Sequence, residues 1–202
     1  FKDDSGNKYD VWDLIEEGYY SMESLPNDWM NRKNNQIQRD CAITHKPFYD
    51  VAKIRSGINE LVYPIYHLDF ESFPCPLPRF KGERSYMQSL FQFSLHIERE
   101  PGVCDKEKDH YEFLAYNHDD TREELVKKLC EYIEDDNGSV LVYNQAFEKT
   151  RIKELAQFFP EYSDQLHLIN SRLFDLMHII KNNTKLYEAL GYDTERAKRW
   201  NY

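Results

Sequence analysis

Ile65-Tyr66-His67-Leu68-Asp69-Phe70-Glu71-Ser72-Phe73 is the stretch on which the reading of the fold turns. Apolar and aromatic residues dominate it, and such a run predicts a buried or half-buried strand. Side chains two apart in a strand share a face. His67, Asp69 and Glu71 therefore project together, while Leu68 and Phe70 pack on the other side. Burying one carboxylate is costly, and burying two together costs more, unless a cation or hydrogen-bond donors lie between them. A divalent metal is the economical answer.

Acid-x-acid pairs are weak evidence by themselves, because the chain holds 36 Asp and Glu in 202 residues. Asp105/Glu107, Glu98/Glu100, Glu134/Asp136 and Asp193/Glu195 have the same spacing. Those pairs lie in charged, Lys-rich or turn-like surroundings, where solvated side chains are the natural reading. Asp69/Glu71 is the pair with hydrophobic residues on both flanks.

Outward from this strand, the two sides of the chain differ. Residues 1–60 read as a helical N-terminal arm. Val11, Trp12, Leu14 and Ile15 suggest a short amphipathic helix, and Ser24–Asp28 is turn-like. The polar stretch from Arg32 to Asp40 suits a helix, and Val51, Ile54, Ile58 and Leu61 recur at helical spacing. Residues 61–202 form the main domain. Leu61–Phe70 is its first strand, Leu90–Glu98 alternates as a second, and His110–Tyr116 is a third, hairpin-paired with the second. Asp119-Asp120-Thr121 caps a helix with Glu123 and Glu124 in its first turn, and Asn137-Gly138 ends it. Ser139–Tyr143 is a short apolar strand of the buried parallel type. Ala146–Phe159 is a helix stopped by Pro160. Leu173–Leu176 begins a further strand or helix, and Leu186–Leu190 suits one more helix. An antiparallel first three strands, then helix, buried strand and helix, predict an α/β fold of ribonuclease H-like type: a mixed sheet, parallel in its later strands, flanked by helices.

Composition narrows the class. Hydrophobic residues make up 41%, with 15 Tyr and 12 Phe, enough for a substantial core. No apolar run approaches the length of a membrane span, so no membrane partner is expected. No secretion-signal pattern opens the chain, and its first residue, Phe1, predicts a fragment whose start is unseen. Cys41, Cys75, Cys104 and Cys130 are scattered without a C-x-x-C pair, which argues against structural zinc or an iron–sulfur cluster. Free thiols in a reducing cytoplasm are the expectation. The net charge of -10 argues against a sequence-blind nucleic-acid coat protein. It leaves room for an enzyme that grips a strand end through metals and a local basic patch.

A second acidic segment follows, Val142-Tyr143-Asn144-Gln145-Ala146-Phe147-Glu148. A buried strand ends at Asn144 and a helix starts with Glu148 in its first turn, and strand ends in α/β sheets are where ligands sit. The bland reading is a cap at Asn144 and a dipole-favouring carboxylate at Glu148. Together, Leu68-Asp69-Phe70-Glu71-Ser72 resembles the first motif, Asp-x-Glu, of the DEDD-type 3′→5′ exonucleases of DnaQ-like and family B polymerase proofreading type. Tyr143–Glu148 is similar to their second motif, with Glu148 at the aspartate position, and Arg172–Leu176 is similar to a segment before their third. A closer resemblance is to a bacterial domain family of uncharacterised function that sits C-terminal to RecB/Cas4-like nuclease regions. Pro-Ile-Tyr-x-Leu-Asp-Phe-Glu at 64–71, Phe-Gln-x-Ser-Leu-His at 91–96 and Tyr-Asn-x-x-Phe-Glu at 143–148 carry it, and it covers roughly residues 9–180. One departure stands out. No Tyr or His four or five residues before a carboxylate follows residue 176. The expectation is that the domain is C-terminally incomplete or its site lacks a fourth acid.

The resemblance implies metal-dependent phosphodiester hydrolysis at the ends of single-stranded DNA or RNA, with Asp69, Glu71 and Glu148 as catalytic metal ligands. Two Mg²⁺ or Mn²⁺ ions are expected, with Asp69 bridging them. Asp175 is the first substitute for the fourth acid, though a cap or anchor is its commoner role. Asn144 is expected to orient substrate, and Arg79, Lys81 and Arg84, beside Phe80 and Tyr86, to contact it; a solvated loop is nearly as good a reading. His67, His96 and His178 read as structural. The alternative to an exonuclease is a binding platform of the same fold, without a full site, serving a RecB/Cas4-like nuclease region in the same protein. An endonuclease on the same carboxylates is a third reading.

Overall fold

A computed structural model describes residues 2, 3, 5–26, 29, 30 and 32–180. The helix expected at Leu186–Leu190 lies outside the described residues. The decisive stretch is strand β1, Ile65–Pro74, which starts four residues later than the sequence suggests. Pro64, after a cis peptide bond, offers no N–H to a ladder, so pairing begins after it. Along β1, Tyr66, Leu68 and Phe70 are buried while Asp69 and Glu71 are exposed. This is the alternation that a half-buried strand requires.

Strand β2, Gln88–Glu98, runs antiparallel to β1, and β3, His110–Leu114, antiparallel to β2. Short parallel strands follow: β4, Val140–Val142, beside β1, and β5, Leu173–Asp175, beside β4. The sheet order is β3-β2-β1-β4-β5. Three antiparallel strands thus adjoin two parallel ones, as the order of elements in the sequence predicts. All of β4 and β5 is buried, which suits parallel strands covered on both faces; β4 is wholly apolar, while β5 ends in the buried Asp175.

Helices cover the sheet. Helix α4, Arg122–Tyr132, presents Leu125, Val126 and Leu129; α5, Ala146–Phe158, presents Ile152, Leu155 and Ala156; α6, Ser163–Ser171, presents Leu166 and Ile169. These pack with Tyr66, Leu68, Phe70, Phe93, Leu95 and Val140 in the main core. The sequence reading places no element between the stop at Pro160 and Leu173; a turn of 3-10 helix at Pro160–Tyr162 leads straight into α6 there. Proline at the first helical position explains why Pro160 both stops α5 and starts the next turn. On the opposite face, Ile65, Leu141, Phe174 and Ile179 of α7, Met177–Ile180, form a smaller core with Ile54 and Leu61.

In the arm, α1 is Val11–Glu16, α2 Lys33–Thr44 and α3 Val51–Ile58. The expected apolar face of α1 is not buried as a unit: Leu14 is buried, but Val11, Trp12 and Ile15 are exposed. Leu14 joins Leu25 and Met30 in a separate cluster with Tyr9, Tyr19, Met22 and Trp29. Helix α3 packs on the sheet side through Ile54. There Gly57 approaches Ile179 so closely that a Cβ would stand 2.8 Å from its side chain.

Candidate active site

Asp69 and Glu71 lie on the open face of β1, opposite Leu68 and Phe70. Their shared face is as expected, but their burial is not: both are exposed. The cost foreseen for them falls on another carboxylate. Glu148, in the first turn of α5, is 4% exposed. Its Oε2 has no hydrogen-bond partner among the described residues. Burial pushes its carboxyl up to about 7, against the pull of its own backbone N–H, and the charges of Asp69 and Asp175 push it the same way. The structure thus brings Asp69, Glu148 and Asp175 within electrostatic reach.

The turn that delivers Glu148 has an identifiable build. Val142 of β4 lies beside Asp175 of β5. Asp175, 3% exposed, accepts the backbone N–H groups of Asn144 (2.9 Å), Gln145 (3.1 Å) and Met177 (3.0 Å). His178 Nε2 stands 3.4 Å from its Oδ2. Both carboxylate oxygens of Asp175 are thus engaged in holding backbone, the anchoring role. Asn144 has φ of 69°, a left-handed conformation that asparagine tolerates better than other non-glycine residues. Its identity therefore has a backbone reason, independent of any contact with substrate. Tyr143, just past β4, is 57% exposed at this edge of the site, and the sequence reading did not single it out.

Of the three loop cations, the structure treats each differently. Arg79 lies with its guanidinium carbon 4.1 Å from the ring centroid of Phe73 and 4.6 Å from that of Phe80. Lys81 is exposed, and its carbonyl accepts from Arg122 at 3.2 Å. Arg84 is exposed; burial raises the Glu154 carboxyl above its usual range, and the charges of Arg151 and Arg84 offset only part of that rise.

The histidines also fall into place. His67, His96 and His110 are neighbours across β1, β2 and β3. His67, expected in the core, is instead partly exposed and pairs its Nε2 with Glu98 Oε2 at 3.0 Å. His96 stacks on His110 at 4.3 Å between centroids. Their parallel rings, 12° apart, cannot both point at one ion, and they form a polar stack on the open side of the sheet.

The donor set around Glu148 suits a hard divalent cation. It consists of carboxylate oxygens, with no thiol or aromatic nitrogen required. An orphaned buried carboxylate oxygen beside further acids is what a cation would neutralise. Among the described residues, no three His, Cys, Asp or Glu side chains stand closely enough grouped to hold an ion as they are.

A family model described as "Domain of unknown function (DUF2779)" matches residues 66–193. The chain is also similar to an uncharacterized protein of Mycoplasma genitalium, MG366, at 27% identity over 146 residues, covering 69% of this chain and 22% of that protein. No solved structure matches the chain. No described helix is long and apolar enough to cross a membrane.

Proposed function

The chain belongs to the DUF2779 family of domains of unknown function, and on that premise we propose that it is a ribonuclease H-like, metal-dependent phosphodiesterase acting at nucleic-acid ends. The observation that carries this reading is Glu148: buried, without a partner for Oε2, and pressed by Asp69 and Asp175. A purely structural carboxylate would have a donor; a buried charge without one is unstable unless a cation arrives. The sheet order β3-β2-β1-β4-β5 supports the fold assignment.

In this reading, Asp69, Glu71 and Glu148 hold Mg²⁺ or Mn²⁺. Such ions neutralise the charge on the attacking and leaving oxygens of a phosphodiester. Asp175 supports the site by fixing the β4–α5 turn, and so sets where Glu148 projects. Asn144 gives that turn its left-handed step. The exposed position of Asp69 and Glu71 leaves the open face of β1 accessible to a strand end.

A second reading is a binding platform of the same fold. The engaged oxygens of Asp175 favour it, because they leave Asp69, Glu71 and Glu148, three acids rather than four, as candidate ligands. Calorimetry with Mn²⁺ on the protein and on Asp69→Ala separates the two, followed by hydrolysis of an end-labelled single strand. Binding lost in the variant, with shortening from one end, is the expected result. A protein that binds no Mn²⁺ is not this enzyme.

A further inference from the structure

Asp69, Glu71 and Phe73 occupy alternate positions of β1 and so share its open face. A bulge in β2 follows: Glu71 pairs with Gln92 but Ser72 pairs with Leu90, leaving Phe91 as the extra residue. The Phe91 ring lies 5.7 Å from that of Phe73. At about 3.3 Å per residue, Phe73 stands about 13 Å along the strand from Asp69 and about 7 Å from Glu71. The guanidinium carbon of Arg79 lies over the Phe73 ring at 4.1 Å and over the Phe80 ring at 4.6 Å.

This arginine is held in place from behind. Glu83, in the same loop, accepts the N–H groups of Arg79 (3.0 Å) and Phe80 (3.2 Å) and the hydroxyl of Ser89 (2.6 Å). Arg122, 5% exposed, reaches Glu83 at 3.4 Å and Asp120 at 2.7 Å. Its guanidinium in turn lies 5.1 Å from the Phe80 centroid and 4.8 Å from that of Phe158. Aromatic ring and guanidinium alternate through Phe73, Arg79, Phe80, Arg122 and Phe158. Arg122 has its carboxylates. Arg79 is exposed; its charge helps hold down the Asp120 carboxyl, but its guanidinium makes no hydrogen bond or ion pair among the described residues. Two rings within cation–π distance restrain the side chain and offer its N–H groups no acceptor. A planar guanidinium so restrained, with unbonded N–H groups, is a fork for a phosphate.

We propose that Arg79, held over the rings of Phe73 and Phe80, binds a backbone phosphate of a nucleic-acid strand laid along β1, a few nucleotides from the bond at Asp69. This inference rests on the phosphodiesterase reading and narrows its substrate class to oligonucleotides long enough to reach both points. Lys81 and Arg84 contribute general positive charge and no such fork.

The test compares the protein with Arg79→Ala and Arg79→Lys in Mn²⁺, using bis(p-nitrophenyl) phosphate and single strands of increasing length. Hydrolysis of the small diester by each protein is the baseline to which its rates on the strands are normalised. In the wild type, kcat/KM rises as the strand grows long enough to span the two points. Arg79→Ala loses about tenfold of that gain, and Arg79→Lys, which keeps charge but not the planar fork, recovers only part of it. In parallel, strand affinity measured against salt should lose about 0.7 from its log–log slope in Arg79→Ala, one phosphate contact on a single strand. An unchanged length dependence and slope in Arg79→Ala overturn the inference, even if the small diester is cleaved. A lowered slope without cleavage of any substrate keeps the phosphate site and removes the enzymatic reading.

Discussion

The Asp175 carboxylate accepts the backbone N–H of Asn144 at 2.9 Å, so a residue of β5 fixes the turn that opens α5. The same carboxylate takes the N–H groups of Gln145 and Met177. Removing it strands one buried and two partly buried donors, at roughly 1–3 kcal/mol for a fully buried one and less for the others. Asp175→Ala is expected to lose ~3–5 kcal/mol in urea unfolding without metal, and Asp175→Asn, which keeps one acceptor oxygen, clearly less. A loss below ~1 kcal/mol for the alanine variant contradicts the anchoring role.

Arg122 and Glu83 make a buried pair, 5% and 3% exposed at the side chain. Burial pushes the Glu83 carboxyl up, but the bonds from Ser89, Arg79 and Phe80 and the charge of Arg122 outweigh it and hold it below the usual range. Truncating one partner leaves a buried charge alone, at ~3–5 kcal/mol. Arg122→Ala should therefore unfold at markedly lower denaturant, with the Arg122→Met, Glu83→Gln double variant recovering part of the loss. A double variant no better than the sum of its parts refutes the coupling.

Much of this was legible in the sequence, for physical reasons that differ by element. The period-2 alternation of β1 and the apolar block Val140–Val142 fix strand type and shared face, because burial acts on side-chain spacing. Helix α6 and its 3-10 lead-in were not legible as such: Pro160 reads as a stop, and its equal fitness to begin a helix is visible only when the chain resumes. The burial of the acids was inverted. The hydrophobic neighbours of Asp69 belong to the other face of the strand, whereas Glu148, in a stretch that looks amphipathic, turns inward with Ile152 and Leu155. The seat of Arg79 over Phe73 and Phe80 joins residues of strand and loop that no spacing rule links, so the sequence marked the cation but not its seat.

Asn144 separates backbone need from chemistry. Its φ of 69° admits glycine freely and β-branched residues badly. Asn144→Gly should fold with near-unchanged stability, and Asn144→Val should lose ~1–2 kcal/mol. If the side-chain amide orients substrate, the glycine variant folds normally yet loses hydrolysis of the single strand. A stable glycine variant with full activity confines Asn144 to the turn.

Glu148 couples stability to pH with a definite sign. Its ordinary value is 4.5 and the fold raises it to about 7. Between these values the folded chain binds the proton more tightly than the unfolded chain. The contribution of this group to stability is thus greatest below about 4.5, falls as pH rises toward about 7, and levels above it. The shift corresponds to about 3 kcal/mol at most. Glu148→Gln removes the ionisation, so it should match the wild type near pH 4.5 and exceed it by ~2–3 kcal/mol at pH 8 in metal-free buffer. Mn²⁺ should close that gap by stabilising the wild type alone, since the glutamine cannot supply the charge. Chemical denaturation of both proteins across this pH range, with and without Mn²⁺, is the measurement. A glutamine variant no more stable at pH 8 would mean that Glu148 is not a buried, unneutralised carboxylate. Equal stabilisation of both by Mn²⁺ would place the ion elsewhere than at Glu148.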